Sequence, residues 1–246
     1  MKAAILRFDA PLMSFGSVIV DHHGFTDLFP GKAMLTGLIG NALGYDHNDA
    51  ERLAELQERL DFAARWDVEP AVMVDYHTVD LGSQKMRSPG WTTYGSPEHR
   101  AGGPAARYGI HQRYRHYLVD GLMTVALGLV AGGHPDLETI VQALNKPARP
   151  LFVGRKSCLP SRPLLDPWTP ILEGTDLLSI LARVPIWTRE GQVLEEVRRV
   201  RTCWTPPSGE ESAAATRLVY DLRDWHNQLP AGSRNRCEGL IEVGLR

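Results

Sequence analysis

The chain has three cysteines in 246 residues, Cys158, Cys203 and Cys237, far apart and without a CxxC pair. That excludes a disulfide framework and a paired-cysteine zinc site, and it fits a reducing compartment. No apolar run approaches the roughly 20 residues that a bilayer requires. The N-terminus also lacks the hydrophobic core and cleavage site of a signal peptide. A cytoplasmic location without membrane contact is therefore expected. Net charge is scarce as well: −2, with a pI near 6.5, counts against a protein that coats DNA. No phosphate-binding loop and no G-x-S-x-G are found, and no cysteine has an evident base. The histidines lack ligand spacing with carboxylates, and His22 and His23 are merely adjacent, so neither metal nor cofactor is expected.

What is present is a soluble, globular composition, 43% hydrophobic and 23% charged, with length for one elaborated domain or two small ones. Its charge is unevenly spread. Residues 145–165 carry five cations and no acid, centred on Leu151-Phe152-Val153-Gly154-Arg155-Lys156. Residues 81–119 carry Lys85, Arg87, Arg100, Arg107, Arg113 and Arg115 against Glu98 alone. Two basic segments on a near-neutral body imply a local anionic partner and leave other surfaces for protein contacts.

The apolar pattern predicts a strand over 2–8, stopped at Asp9-Ala10-Pro11, then a helix between Pro30 and Gly44 with Met34, Leu35, Leu38, Ile39, Ala42 and Leu43 on one stripe. The glycines of that helix are expected to allow close packing on a sheet, and Lys32 in its first turn to favour an anion. A second helix runs from Asn48, as a possible cap, to Leu60. Strands are expected over 62–66 and 71–79, then one over 117–130, a helix from His134-Pro135-Asp136 to Leu144, and a buried strand at 151–153. Gly154 would let that strand's end approach a partner closely. Between 81 and 112 no sustained apolar period survives, which points to a functional arm or loop. The order β-α-β-β-α-β is the ferredoxin-like arrangement shared with the RNA recognition motif, an α+β class. The expected organisation is a ferredoxin-like core over 1–165 with a thumb insertion at about 68–113. A small β-rich extension, 166–246, packs on it.

Three groups of residues carry candidate chemistry. Arg155 and Lys156, at a strand end, are placed to hold phosphate. Arg113-Tyr114-Arg115-His116-Tyr117 interleaves cations with rings, a mixture that serves single-stranded nucleic acid and equally describes a strand whose alternate residues face water. His77, beside Tyr76 and with Lys156, could act as base and electrostatic stabiliser for attack of a ribose 2′-OH on its own phosphate, or only stack at the base of the arm. Trp91 and Tyr94 have no obvious core to enter.

Ser14-Phe15-Gly16, Phe29-Pro30-Gly31-Lys32, Ala42-Leu43-Gly44, Asp75-Tyr76-His77-Thr78, Tyr117-Leu118-Val119-Asp120 and Gly154-Arg155-Lys156-Ser157-Cys158 occur in order. Together they resemble the CasD proteins, the Cas-five subunits of type I-E CRISPR Cascade complexes, in the RAMP superfamily. The likeness runs from residue 2 to about 165, with a looser echo near Tyr220-Asp221-Leu222-Arg223-Asp224-Trp225. Phe15 stands where that family usually has Trp, Gly31 and Ala33 where it has hydroxyl residues, and Gly121-Leu122-Met123 where it has A-x-F.

The resemblance implies an RNA-binding subunit of a ribonucleoprotein complex in antiviral defence. Such a subunit holds the 5′ handle of the CRISPR RNA (crRNA) and caps a filament of CasC-type backbone subunits beside a large CasA-type subunit. Target DNA is met only through the complex. The residues it assigns to RNA are Ser14, Lys32, Tyr76, His77, Arg107, Arg113, Arg115, Arg155 and Lys156, with Lys85, Arg87, Trp91 and Tyr94 on the thumb. It implies no catalytic residue, although relatives in type I-C systems cut RNA. A metal-independent endoribonuclease is therefore the alternative expectation.

Overall fold

Strand β1 (Lys2–Asp9) is apolar on both faces: Ala4, Leu6 and Phe8 enter one core and Ala3 and Ile5 another. A strand buried on both sides belongs in the middle of a sheet covered on both sides, and β1 lies inside the main one. The computed structural model describes residues 1–17, 19–80, 110–194, 196–206 and 215–244. After β1 come three short strands, β2 (Leu12–Met13), β3 (Ile19–Val20) and β4 (His23–Gly24). Helices α1 (Lys32–Leu43) and α2 (Ala50–Arg59) lead into β5 (Leu60–Val68). The arms β6 (Ala71–Asp80) and β7 (Ile110–Val119) form a long ribbon, and β8 (Leu122–Leu129) returns to the core before α3 (Leu137–Asn145).

The remaining elements are β9 (Ile171–Glu173), α4 (Leu177–Arg183), β10 (Ile186–Trp187), β11 (Val193–Leu194) and β12 (Arg198–Trp204). They are followed by β13 (Ala215–Val219), β14 (Arg223–Asp224), β15 (Leu229–Pro230) and β16 (Arg234–Val243).

The main sheet has seven strands in the order β13-β16-β12-β5-β8-β1-β9, all antiparallel. Leu35, Leu38, Ile39 and Ala42 of α1, with Leu137, Ile140 and Leu144 of α3, pack against its Leu6, Phe8, Phe62 and Trp66 face. On the other face Leu177, Ile180 and Leu181 of α4 cover Ala3, Ile5, Ala63 and Ala126. The alternation of Ala with larger residues along β1 and β5 is what lets α4 sit close. Helix α4 lies outside the elements expected from sequence, yet its start is written there. Asp176 accepts from the Ser179 N–H at 2.7 Å, and the Ser179 hydroxyl accepts in return from the Asp176 N–H at 3.2 Å. Asp176→Ala should lower stability by about 1 kcal/mol in urea unfolding; no change would mean the cap is idle.

Several expectations need correction. Leu151–Val153 is not a strand. Val153 N–H bonds the Cys158 carbonyl (2.8 Å) and its own carbonyl accepts from Ser14 N–H (3.2 Å), so the segment closes a local turn. The strand beside β1 on that side is β9. The single strand expected over 117–130 is two, β7 and β8, broken at Asp120 (φ +58°) and Gly121. Its alternating half belongs to the ribbon and its apolar half to the core. Helix α2 begins after Asp49, not Asn48. Gly40 makes room for Leu53 of α2, not for a sheet: an added Cβ would lie 2.6 Å from Leu53 Cδ2. The chain beyond 165 does not simply pack on the core. Its strands β9, β12, β13 and β16 extend the one sheet at both edges.

Candidate nucleic-acid interface

The ribbon is a ladder of ten facing pairs, from Ala71↔Val119 to Asp80↔Ile110. Facing residues of an antiparallel pair share a face. Asp75, His77, Arg113, Arg115 and Tyr117 therefore lie on one side, and Val72, Val74, Tyr76, Tyr114 and His116 on the other. Both arginines of β7 fall on the first side, with Met73 and Val79 among them, while the second carries mainly rings and aliphatics.

On the ring side, β4 pairs in parallel with β7, His23 beside Tyr114. Their rings stack at 4.7 Å and 10°. Phe25 continues the row against His23 (5.5 Å, 13°), and Tyr76 extends it against Tyr114 (5.0 Å). Phe25 also meets the His116 ring at 4.6 Å, whereas Tyr76 keeps 51% of its surface in solvent, so the Tyr76 end of the row is open to a further ring.

On the charged side, Arg155 reaches from its loop to the ribbon. It donates to the carbonyls of Gly24 (2.8 Å) and His116 (3.2 Å) and lies 4.9 Å over the Tyr117 ring. The Tyr117 hydroxyl is 3.5 Å from Ser157 Oγ. Burial pushes its pKa up, but bonding to Ser157, Arg155 and Arg115 outweighs this and holds it below the usual tyrosine range. Arg113 donates to the Asp21 carbonyl (3.2 Å) and to His111 (3.1 Å). Arg115 on the ribbon and Lys156, next to Arg155 in its loop, are both exposed.

Gly154 fixes the loop in place. Its φ is +95°, and an added Cβ would lie 1.6 Å from the Ser14 carbonyl oxygen. The close approach expected of this glycine is real, though it is made by a turn and not by a strand end. Ser14 is 2% exposed, with its hydroxyl 3.4 Å from the His116 carbonyl, so it ties the floor of the site together from inside.

Lys32 has a different setting. The Lys32 N–H donates to Asp221 Oδ2 (3.0 Å) and Ala33 N–H to the Asp221 carbonyl (2.9 Å), while Arg234 clamps the same carboxylate. Gly31 admits Asp221: an added Cβ would lie 2.9 Å from Asp221 Cβ. The anion expected at this helix start is thus supplied by the chain itself. The Lys32 ammonium donates to the Glu58 carbonyl at 3.3 Å. Burial pulls its pKa below the usual lysine value; Arg234 adds to this, and Asp61, Asp221 and Glu58 only partly offset it. Its described partners are these groups and not the ribbon cations.

His77 Nε2 lies 2.5 Å from Asp75 Oδ2, both side chains being less than half exposed. Tyr76, the next residue on the strand, projects to the opposite face. Lys85, Arg87, Trp91, Tyr94 and Arg107 lie outside the described residues. His23 and Phe25 were not among the sequence candidates. The parallel pairing that seats them beside β7 involves two residues per strand, too short to leave a periodic signal. Among the described residues, no group of three or more His, Cys, Asp or Glu could hold a metal ion, and no helix is long and apolar enough to cross a membrane.

A curated relative, the CRISPR system Cascade subunit CasD of Escherichia coli (strain K12), is 30% identical over 168 residues, covering 65% of this chain and 68% of the relative. A solved structure described as a CRISPR RNA-guided surveillance complex superposes with a TM-score of 0.66 at 22% identity, over 98% of this chain and 90% of that one. A second, described as the crystal structure of a Cas protein, gives 0.59 at 25% identity, over 98% and 95%. A family model described as CRISPR-associated protein (Cas_Cas5) matches residues 4–237. With a match spanning nearly its whole length, the chain belongs to the Cas5 family of CRISPR-associated proteins.

Proposed function

We propose that this protein is a non-catalytic subunit of a CRISPR RNA-guided complex of the Cascade kind, and that it holds the 5′ handle of the guide RNA and caps the backbone filament. The observation that carries the reading is the docking of the 154–157 loop onto β7. It brings Arg113, Arg115, Arg155 and Tyr117 to one side of the ribbon base, with Lys156 on the same loop. Cations of this kind neutralise phosphates, while the ring row on the other side offers stacking surfaces for unpaired bases.

The central order β9-β1-β8-β5 is that of a ferredoxin-like core, the RNA recognition motif arrangement. In that motif bases spread over the open sheet face. Here α4 covers most of that face, which moves RNA contact to the ribbon and its loop. The half-exposed aliphatics Val72 and Val74 suit a protein neighbour, a CasC-type backbone subunit or the large CasA-type subunit. Target DNA is engaged through the guide.

Arg155 acts as a wall and Arg115 and Lys156 as phosphate contacts. Arg115→Ala and Lys156→Ala should each weaken handle-RNA binding and lower the slope of log K against log salt by about 0.7. Unchanged affinity and slope in both would overturn the site.

One observation favours a second reading, metal-independent RNA cleavage: the Asp75 carboxylate orients the His77 imidazole as it would a general base. Tyr76, on the opposite face, is not available to the same ribose. Repeat RNA incubated with the protein and a chelator should stay intact. Specific cleavage lost in His77→Ala would replace the non-catalytic reading with this one.

A further inference from the structure

Helix α4 stops short of the C-terminal end of β1, and the sheet face beyond it is left open as a pocket. Its walls are Leu122, Met123, Leu165, Pro167 and two tryptophans, Trp168 and Trp187. It is shallow: most of the roughly 440 Å³ of space in and above it is open to solvent. The two indoles stack at 3.8 Å and 5°, one from the β9-side loop and one from β10. Trp168 nevertheless leaves 59% of its surface in solvent, so the stack is open to another planar ring. The Trp168 backbone is fixed, because its N–H and that of Thr169 both donate to Asp166 Oδ1 (3.0 and 2.8 Å).

The charges around this pocket are already paired. Arg7 bonds Asp67 and Asp166 at 2.8 Å each, and Asp9 bonds Arg162 at 2.7 Å. A lining of neutralised charges and indoles is poorly suited to a bare phosphate and well suited to a flat, uncharged ring with a hydrogen-bonding edge. The rim supplies partners for such an edge in Thr188 and the Asp9 carboxylate, and the Arg162 side chain beside them is 43% exposed. A purely aliphatic side chain would leave these rim groups unused.

We propose that this pocket binds one unpaired nucleobase, stacked on the exposed face of Trp168, with Arg162 reaching the phosphate attached to it. The site is separate from the ribbon interface and does not rest on the handle reading. A single strand and a free nucleotide both carry such a base; stacking is the shared chemistry.

The test titrates adenosine, adenosine 5′-monophosphate and a short oligoadenylate into the full chain, followed by tryptophan fluorescence. All three should quench in a saturable way. Trp168→Ala should weaken each at least tenfold, and Trp168→Phe only a few-fold, because the smaller ring still stacks. Arg162→Ala should weaken the two phosphate-bearing probes and spare adenosine. Arg115→Ala and Lys156→Ala should leave adenosine binding unchanged, which separates this site from the ribbon. In the Arg115→Ala, Lys156→Ala double variant, which removes the ribbon's phosphate contacts, oligoadenylate binding far tighter than the monophosphate identifies a strand as the source, and equal affinity a free nucleotide. No saturable quenching, or quenching equal in wild type and Trp168→Ala, overturns the proposal. Loss of partner-subunit binding in Trp168→Ala with no nucleobase binding overturns it too, and makes the pocket a protein contact.

Discussion

Replacing Gly154 by alanine should cost about 3 kcal/mol or more of folding stability and abolish handle binding together with it. Two effects add. A left-handed backbone costs an L side chain about 1–2 kcal/mol, and here φ is +95°. The added methyl would also meet the Ser14 carbonyl at 1.6 Å, a backbone atom that cannot swing aside. Overpacking of that kind costs about 1–3 kcal/mol when the structure relaxes around it. Relaxation means lifting the loop, which withdraws Arg155 from the Gly24 and His116 carbonyls and opens the floor of the site. Gly132→Ala is the control. Its φ is +96° and nothing lies within 4 Å of an added Cβ, so only the backbone term applies. Urea midpoints for the two variants isolate the clash. Equal losses would mean that the loop is not seated on Ser14, and the charged wall would lose its anchor.

This glycine also shows what the sequence made legible. A close approach at Gly154 and cations just after it were readable, because glycine followed by Arg155-Lys156 constrains both backbone and charge. The nature of the segment was not. Leu151-Phe152-Val153 has the composition of a buried strand, and composition cannot tell a ladder from a turn when both bury the same residues. Only the bond from Val153 N–H to the Cys158 carbonyl decides it. The Lys32 helix start misled for a related reason: the anion that satisfies it, Asp221, is 189 residues away in sequence. The division of the ribbon into a charged and a ring-bearing side was partly legible from alternation in 113–117. The ring row itself needed β4, whose two residues carry no pattern. Among the later strands β12 was hardest, since it places Arg198, Arg199 and Arg201 in solvent and so does not look like part of a core sheet.

Removing the Asp67 carboxylate should be at least as damaging as crowding Gly154, and for an opposite reason. Asp67 accepts from Arg7 (2.8 Å), Thr124 (2.5 Å) and Arg65 (2.7 Å), and its side chain is 2% exposed. Arg65 is wholly buried, and both arginines also donate to the Pro185 carbonyl just past α4, with Arg65 bonding Leu181 as well. Two guanidiniums thereby tie β1, β5 and β8 to the end of the helix that closes the sheet face. Asp67→Ala leaves them facing one remaining carboxylate, Asp166. Breaking a buried pair from one side costs about 3–5 kcal/mol, because the surviving charge stays desolvated. Asp67→Asn keeps an acceptor and should recover part of the loss.

Asp166 adds a pH signature. Burial raises its pKa, but the Thr169 N–H, Arg7 and the Trp168 N–H outweigh it and hold the carboxyl below the usual range. A group depressed in the folded state stabilises above its unfolded pKa of about 3.9 and loses that contribution as pH falls through the folded value. Stability of the wild type should therefore fall on going from pH 5 to pH 3, and less steeply in Asp166→Asn. If Asp67→Ala unfolds at the wild-type urea concentration, or Asp166→Asn retains the full acid slope, the arginine–aspartate cluster does not hold α4 on the sheet.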